Sequence, residues 1–453
     1  MSFPRYPEYK DSGVEWLGEI PEHWEIKKLK FVSPELTVGI VVEPSRFYAA
    51  DGVPALRSLN VSAGKISIEN LVFITPEGHR LQSKSRLRKG DIVAVRTGQP
   101  GTTAVIPQEL DGCNCIDLII IRKPIVGSEQ FLCWYFGADA ALSQFSAGSG
   151  GAIQQHFNVS AAADLVVAVP PPSEQFRIAD FLKRETAKID ELISEQQRLI
   201  ELLKEKREAV ISHAVTKGLN PNAPMKASGV EWLGEVPSHW EMMTLRHCIA
   251  KIEQGWSPQC LSEPALEGEW GVLKVGCCNA DTFNPQEQKA LPAGIAPLEQ
   301  YEIKAGDILM SRGNTPELVG MATLVQTVRR HLLLSDLVYR ISARAEFVDP
   351  EFLVFSLRSR TSRFQIECEA TGSSPSMKKI GQATIRSLII ALPSLAEQQS
   401  IVGYIRKQLT KLDVLAFEAQ RAIELLQERR TALISAAVTG QIDVRAIAGK
   451  AAA

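Results

Sequence analysis

The chain has 453 residues, 45% of them hydrophobic and 23% charged, with 50 lysines and arginines against 52 aspartates and glutamates and a formal net charge of −2. This length predicts more than one core and this composition excludes wholesale disorder, while the small net charge leaves nucleic-acid contact to local clusters of cations. No run reaches the roughly 18 to 20 apolar residues of a membrane helix, and the N-terminal MSFPRYPEYKDS has no apolar signal core, so a cytoplasmic protein is expected.

In chain order, the first distinctive block is GVEWLGEIPEHWE at 13–25, and it returns as GVEWLGEVPSHWE at 229–241, 216 residues later. Residues 31–86 follow without an alignable counterpart in 245–300. Next comes HRLQSKSRLRKGDIVAVR at 79–96, a local cationic stripe holding Arg80, Lys84, Arg86, Arg88, Lys89 and Arg96 against the single acid Asp91. Its LRKGDIVAVRTG (87–98) matches IKAGDILMSRGN (303–314) at the same offset of 216. Short β-rich runs (DIVAVR, CIDLIIIRK and DLVVAV, then DILMSR and SLIIAL) are punctuated by Gly, Pro and Asp and predict strands of a curved sheet. One helix is expected late in each head, over SEQFLCWYFGADAALSQFSA and over DPEFLVFSLRSRTSRFQIE, followed by a Gly/Ser loop, AGSGGAIQQHF or ATGSSPSMKKI. Such loops on a rigid scaffold are where recognition tends to sit.

The longest shared block is 174–216 against 397–439, about half identical at a constant offset of 223. In it Ile189, Leu192, Leu199, Leu203 and Val210, and in its twin Leu412, Leu415, Leu426 and Leu433, recur at threes and fours with no proline between. That is the period of a long amphipathic helix, about 65 Å at 1.5 Å per residue, with Ser173 and Ser394 as N-caps and Gly218 and Gly440 as stops. The pattern predicts two heads, each followed by a rod. The expected boundaries are 1–172 (first head), 173–218 (central helix), 219–393 (second head), 394–442 (C-terminal helix) and 443–453 (tail). The fold class is α+β: two globular domains with curved sheets, separated by two long antiparallel coiled-coil helices in a pseudo-two-fold arrangement.

Chemistry is sparse. Nucleotide-binding loops (GxxxxGK[ST], GxGxxG) and a zinc-protease HExxH are missing, and the eight cysteines lack paired zinc spacing and read as buried thiols. His23 and His239, in the repeated P-x-H-W, read as packed and hydrogen-bonded rather than catalytic. No catalytic and no metal residues are assigned. Arg96 and Arg312, each following a Gly-Asp-Ile strand, are the leading phosphate or base contacts, with a structural ion pair as the open alternative.

The order and duplication of these blocks (IPEHWE and VPSHWE, GDIVAVR and GDILMSR, then PP-x-x-EQ into a long helix) resemble the specificity subunits of type I restriction-modification systems. The resemblance implies that each head is a target-recognition domain reading one half of a split sequence in double-stranded DNA. It implies that the paired helices set the spacing and dock two modification subunits, and through them restriction subunits. It also implies a non-catalytic chain without cofactors of its own: S-adenosylmethionine, ATP and Mg would be bound by partners, giving the complex adenine-N6 methyltransferase and ATP-dependent endonuclease activity. On that reading Gln99, Gln154, Gln155, Asn314, Lys378 and Lys379 join Arg80, Lys84, Arg86, Arg88, Lys89, Arg96 and Arg312 as DNA-contact candidates, since such side chains bond base edges. The alternatives are a coiled-coil adaptor binding two protein ligands without DNA, and a nuclease or methyltransferase of unrecognised type.

Overall fold

The computed structural model describes residues 3–147, 149–150, 156–374 and 377–447. Two long helices dominate, α1 (Pro172–Lys217) and α2 (Leu395–Val438). Ser394 caps α2, its Oγ accepting from the Glu397 N–H at 3.4 Å, whereas α1 begins at Pro172 and takes Ser173 into its first turn. Gly218 (φ +74) and Gly440 (φ +81) end the helices in the left-handed conformation that glycine adopts without strain. At Gly440 space is also decisive, because a Cβ there would lie 2.3 Å from the Pro21 ring.

The chain forms two compact units, residues 1–197 with 421–453, and residues 198–420. Each therefore holds one head and about half of each long helix, so head and rod are not separate compact bodies. Residues after α2 belong to the first unit's core: Asp443 donates its N–H to Pro4 O at 2.8 Å, and Val444 is buried.

Within the first unit, strands β1 (Leu36–Val38), β2 (Ile92–Val95), β3 (Thr103–Val105) and β4 (Leu118–Ile121) form an antiparallel sheet in the order β3-β2-β4-β1. Both faces are covered, which is why IVAV and LIII are continuous apolar runs. Ile92, Ala94, Ile119 and Ile121 pack in the cluster of Trp24, Phe131 and Tyr135; Val93, Val95, Leu118 and Ile120 pack with Leu56, Leu87 and Cys115. Within the second unit, β5 (Ile249–Gln254), β6 (Ile308–Ser311), β7 (Ala322–Leu324) and β8 (Val338–Ala343) repeat the plan in the order β5-β8-β6-β7. The unalignable segments supply most of two different second sheets, four-stranded in the first head, where Asn114–Cys115 joins, and three-stranded in the second, where Leu332–Leu333 joins. Each expected late helix is two. The first breaks between Glu129–Phe136 and Asp139–Ala147. The second breaks at Ser359, whose extended backbone ends Pro350–Arg358 while its side chain caps Arg360–Glu369.

The repeated sequence blocks meet at one joint in each unit. In the first, the buried indole of Trp24 donates from Nε1 to Glu174 Oε1 at 3.1 Å, and His23 Nε2 lies 2.9 Å from Glu174 Oε2. Tyr6 donates its hydroxyl to the same carboxylate, and that hydroxyl's pKa is raised chiefly by burial. Gln175 then accepts from the Ser128 N–H at 2.9 Å and donates to Pro170 O at 2.9 Å, tying the late helix to the rod. The second unit repeats this: Trp240 and His239 bond Glu397 at 3.1 and 2.9 Å, and Gln398 accepts from the Asp349 N–H at 2.8 Å. Thus His23 and His239 are structural, and the P-x-H-W and E-Q motifs are the two halves of one contact. Trp24 also packs near Gly440, at the end of α2, while 16 residues beyond Glu174 the Asp190 carboxylate meets Arg430 Nε at 2.9 Å. The helices of the first unit are therefore antiparallel. In the second, Trp240 packs near Gly218 and Arg207 pairs with Asp413, again antiparallel.

The expected coiled-coil seam is only partly where the periodicity put it. Ile189, Leu203, Leu412 and Leu433 are buried, and Val210 and Leu426 are half-buried. Leu192, Leu199 and Leu415 are 44%, 40% and 52% exposed, so these three are not seam positions. Two packed helices cover only one stripe of each other, whereas the apolar residues here extend beyond one stripe.

Candidate nucleic-acid interface

In each head the strand that follows Gly-Asp-Ile ends on an arginine whose backbone holds the Gly/Ser hairpin. Arg96 O accepts from Phe157 N at 3.2 Å, and Arg312 O accepts from Ile380 N at 2.9 Å. The Arg96 side chain adds to this hold, donating from Nε to Phe157 O at 3.1 Å and from Nη1 to Asp117 Oδ1 at 2.8 Å. Asp117 has φ +53, an uncommon conformation for a non-glycine residue, and it opens the β4 run as Asp336 opens β8. Arg312 Nη1 donates to Asp336 O at 3.3 Å, while the Asp336 carboxylate takes the Ser257 hydroxyl. The open alternative for Arg96, a structural ion pair, is therefore present, and Arg312 is likewise engaged. Both are half-buried and shape the hairpin's seat.

The stripe that looked continuous in sequence divides in space. Arg80, Lys84, Arg86, Arg88 and Lys89 precede the start of β2, where Arg122 pairs with the buried Asp91 and donates to the carbonyls of Arg86 and Lys84. Arg96 follows the other end, about 13 Å away for a four-residue strand at ~3.4 Å per residue. Arg80, Lys84, Arg88 and Lys89 are exposed, and among the described residues none has an ion-pair partner. Arg86 is half-buried and donates to His79 O at 3.2 and 3.3 Å.

Gln99 is exposed beside Arg96, and Gln154 and Gln155 lie outside the described residues. Asn314 is buried rather than presented: its Nδ2 donates to Asn279 Oδ1 at 2.8 Å and its Oδ1 accepts from Thr315 N at 2.9 Å, which removes it as a free base contact. Its strand, Gly313–Asn314, pairs with Lys378 and Lys379 on the hairpin, of which Lys379 is exposed and Lys378 half-buried. Four arginines of the second head have structural partners. Arg329, Arg340, Arg358 and Arg363 all donate to backbone carbonyls, and burial pulls the guanidinium pKa of Arg358 and of Arg363 down. The contacts missed from sequence are those of Asp117 and Asp336. Their signal was present in the Asp-Leu shared by CIDLIII and LSDLVYR.

Two repeated joints, two hairpins seated on strand ends and two unlike inserts define a protein with two heads of one plan, each joined to the same pair of long helices. No protein-family model matches the chain. Over 205 residues it is 32% identical to the EcoEI type I restriction enzyme specificity subunit of Escherichia coli, a match covering 45% of this chain and 34% of that protein. The chain thus spans about a third of that relative. It is 22% identical to the EcoKI specificity subunit of Escherichia coli K12 over 94% of this chain and 90% of that one. A solved type I restriction-modification assembly contains a chain with the same fold at a TM-score of 0.69 and 17% identity, covering 93% of this chain and 99% of that one. The HsdS subunit of Thermoanaerobacter tengcongensis matches at a TM-score of 0.53, also at 17% identity, over 93% and 98%. In sequence and in fold the chain is thus similar to type I restriction enzyme specificity subunits.

Proposed function

We propose that the chain is the DNA sequence-recognition subunit of a type I restriction-modification complex, reading a bipartite target with one head per half-site. The observation that carries this is the duplication of joint, rod and hairpin seat around inserts that differ. A non-palindromic split target needs two different readers on one duplex, and two copies of a partner need two similar docking surfaces. The helices dock two modification subunits and, through them, restriction subunits. Exposed apolar side chains along them, Leu192, Leu199, Leu202, Leu415, Phe417 and Leu425, support this docking role. The chain itself is non-catalytic and acts in the cytoplasm, while partners bind S-adenosylmethionine, ATP and Mg for adenine-N6 methylation and ATP-dependent cleavage.

Purified with the modification subunits encoded beside it, the chain will retain from a randomised duplex library sequences with two conserved blocks at a fixed gap. No retention at physiological ionic strength, or retention without two blocks, would sink the reading. The chain alone will transfer no methyl group.

Single substitutions in the first head separate two kinds of contact. Arg96→Ala removes the side-chain link from Asp117 to Phe157 O on the hairpin and will weaken binding by about 1 to 3 kcal/mol, relaxing discrimination in one block only. Arg88→Ala removes an exposed, unpaired cation and will weaken all sequences alike, lowering the slope of affinity against salt by about 1. Affinity measured at several salt concentrations on matched and singly altered duplexes checks both. Equal behaviour of the two variants would remove the distinction between hairpin and stripe.

A further inference from the structure

Asp281 lies in the segment of the second head that has no alignable counterpart in the first. Its carboxylate bridges two arginines: Oδ1 accepts from Arg358 Nη2 at 2.6 Å, and Oδ2 pairs with Arg207 Nε on α1. Arg207 pairs through Nη1 with Asp413 on α2. The Arg358 side chain is 8% exposed, and its Nη1 donates to Ala280 O and Ala322 O, each at 2.8 Å. Two residues before Asp281, Asn279 receives the Asn314 amide, and Asn314 is the strand partner of Lys378 on the hairpin. A short run of polar contacts, in which Arg207 and Asp281 form an ion pair and the other side-chain links are hydrogen bonds, thus connects both long helices, within this unit, to the second head's hairpin seat.

The first unit supplies an internal comparison. Arg430 and Asp190 form the same rod pair, 223 residues from Arg207 and Asp413 respectively. Among the described residues, no carboxylate from the first head joins that pair. The geometry assigns Asp281 as a positioning residue that ties the second head's reading hairpin to the helices through Arg207. The planar Arg358 guanidinium, donating to Asp281 and to two carbonyls, fixes the direction of the carboxylate that Arg207 then pairs with, and base discrimination needs a reader held to about 0.5 Å and 10–20°. Discrimination by the second head therefore depends on Arg207 of the rod, and discrimination by the first head does not depend on its counterpart Arg430. This inference rests on the DNA-recognition reading above.

The test uses the complex with its modification subunits and the duplexes that the unaltered complex recovers from a randomised library, each block being assigned to a head by exchange of the first head. Arg207→Gln and Arg430→Gln remove the same rod pair in the two units, but only the first also releases an insert. Arg207→Gln will lower discrimination in the second head's block by about tenfold and leave the other block unchanged. Arg430→Gln will alter neither. Asp281→Ala, which leaves Arg207 with Asp413, will reproduce the effect of Arg207→Gln. Circular dichroism melts confirm folding, and if Asp281→Ala does not fold, the matched arginine pair decides the matter. Equal behaviour of the two arginine variants, a parallel loss in both blocks, or no loss in either overturns the assignment. An unaltered complex that recovers no split sequence overturns the DNA reading itself, a different result.

Discussion

Exchange of residues 31–169 for the corresponding region of a relative will change one block of the split target and leave the other block and the gap between them as they were. The exchange replaces the hairpin, the Gly-Asp-Ile strand and the insert together, and of these the strand and the insert pack on one another through Leu56, Leu87, Val93 and Ile120. It retains Trp24, Glu174 and Gln175, the groups that join head to rod. A relative whose late helix offers an N–H where Ser128 does will be seated by Gln175 in the same place, because that bond is made to backbone and is indifferent to side chain. Specificity then travels with the insert, and spacing stays with helices that the exchange does not touch. Sequencing of duplexes retained from a randomised library checks this, and a change in both blocks would show that the heads do not read independently.

Truncation of either buried tryptophan will produce the largest loss of stability. Trp24 and Trp240 have no exposed surface, and replacing such a side chain by alanine costs about 3 to 5 kcal/mol through lost burial and the cavity left behind. The joint's carboxylates should differ from each other. Glu174 is buried and serves Tyr6, Trp24 and His23, whereas Glu397 is 29% exposed and serves Trp240 and His239. Glu174→Ala leaves the Trp24 N–H and the Tyr6 O–H buried without their acceptor, at about 1 to 3 kcal/mol each, while water replaces part of what Glu397 supplies. Urea unfolding followed by tryptophan fluorescence and by helical ellipticity will rank Trp24→Ala and Trp240→Ala as most destabilising and Glu174→Ala above Glu397→Ala. A loss below about 1 kcal/mol for Trp24→Ala would mean that the indole is not the centre of the joint.

Duplication, the order of blocks, the long helices and the sheet strands were legible in the sequence because each depends on local order. A 3.6-residue apolar period makes a helix wherever it packs, a doubly covered strand reads as an unbroken apolar run, and a constant offset survives any fold. Gly218 and Gly440 marked the helix ends for the same reason. What tertiary structure decided are relations between residues far apart in the chain. His23 and Trp24 look like a motif in search of a role until Glu174, about 150 residues on, accepts from both. Leu192 and Leu415 share the helix period with Ile189 and Leu412, yet the partner helix covers only the latter two, because period selects a face broader than one neighbour can bury. The cations show the limit most plainly. Sequence gives the number and spacing of charges, but whether a guanidinium faces solvent, as Arg88 does, or a carbonyl and a carboxylate, as Arg96 and Arg358 do, depends on which unpaired backbone oxygens and acids the folded chain brings within hydrogen-bond reach.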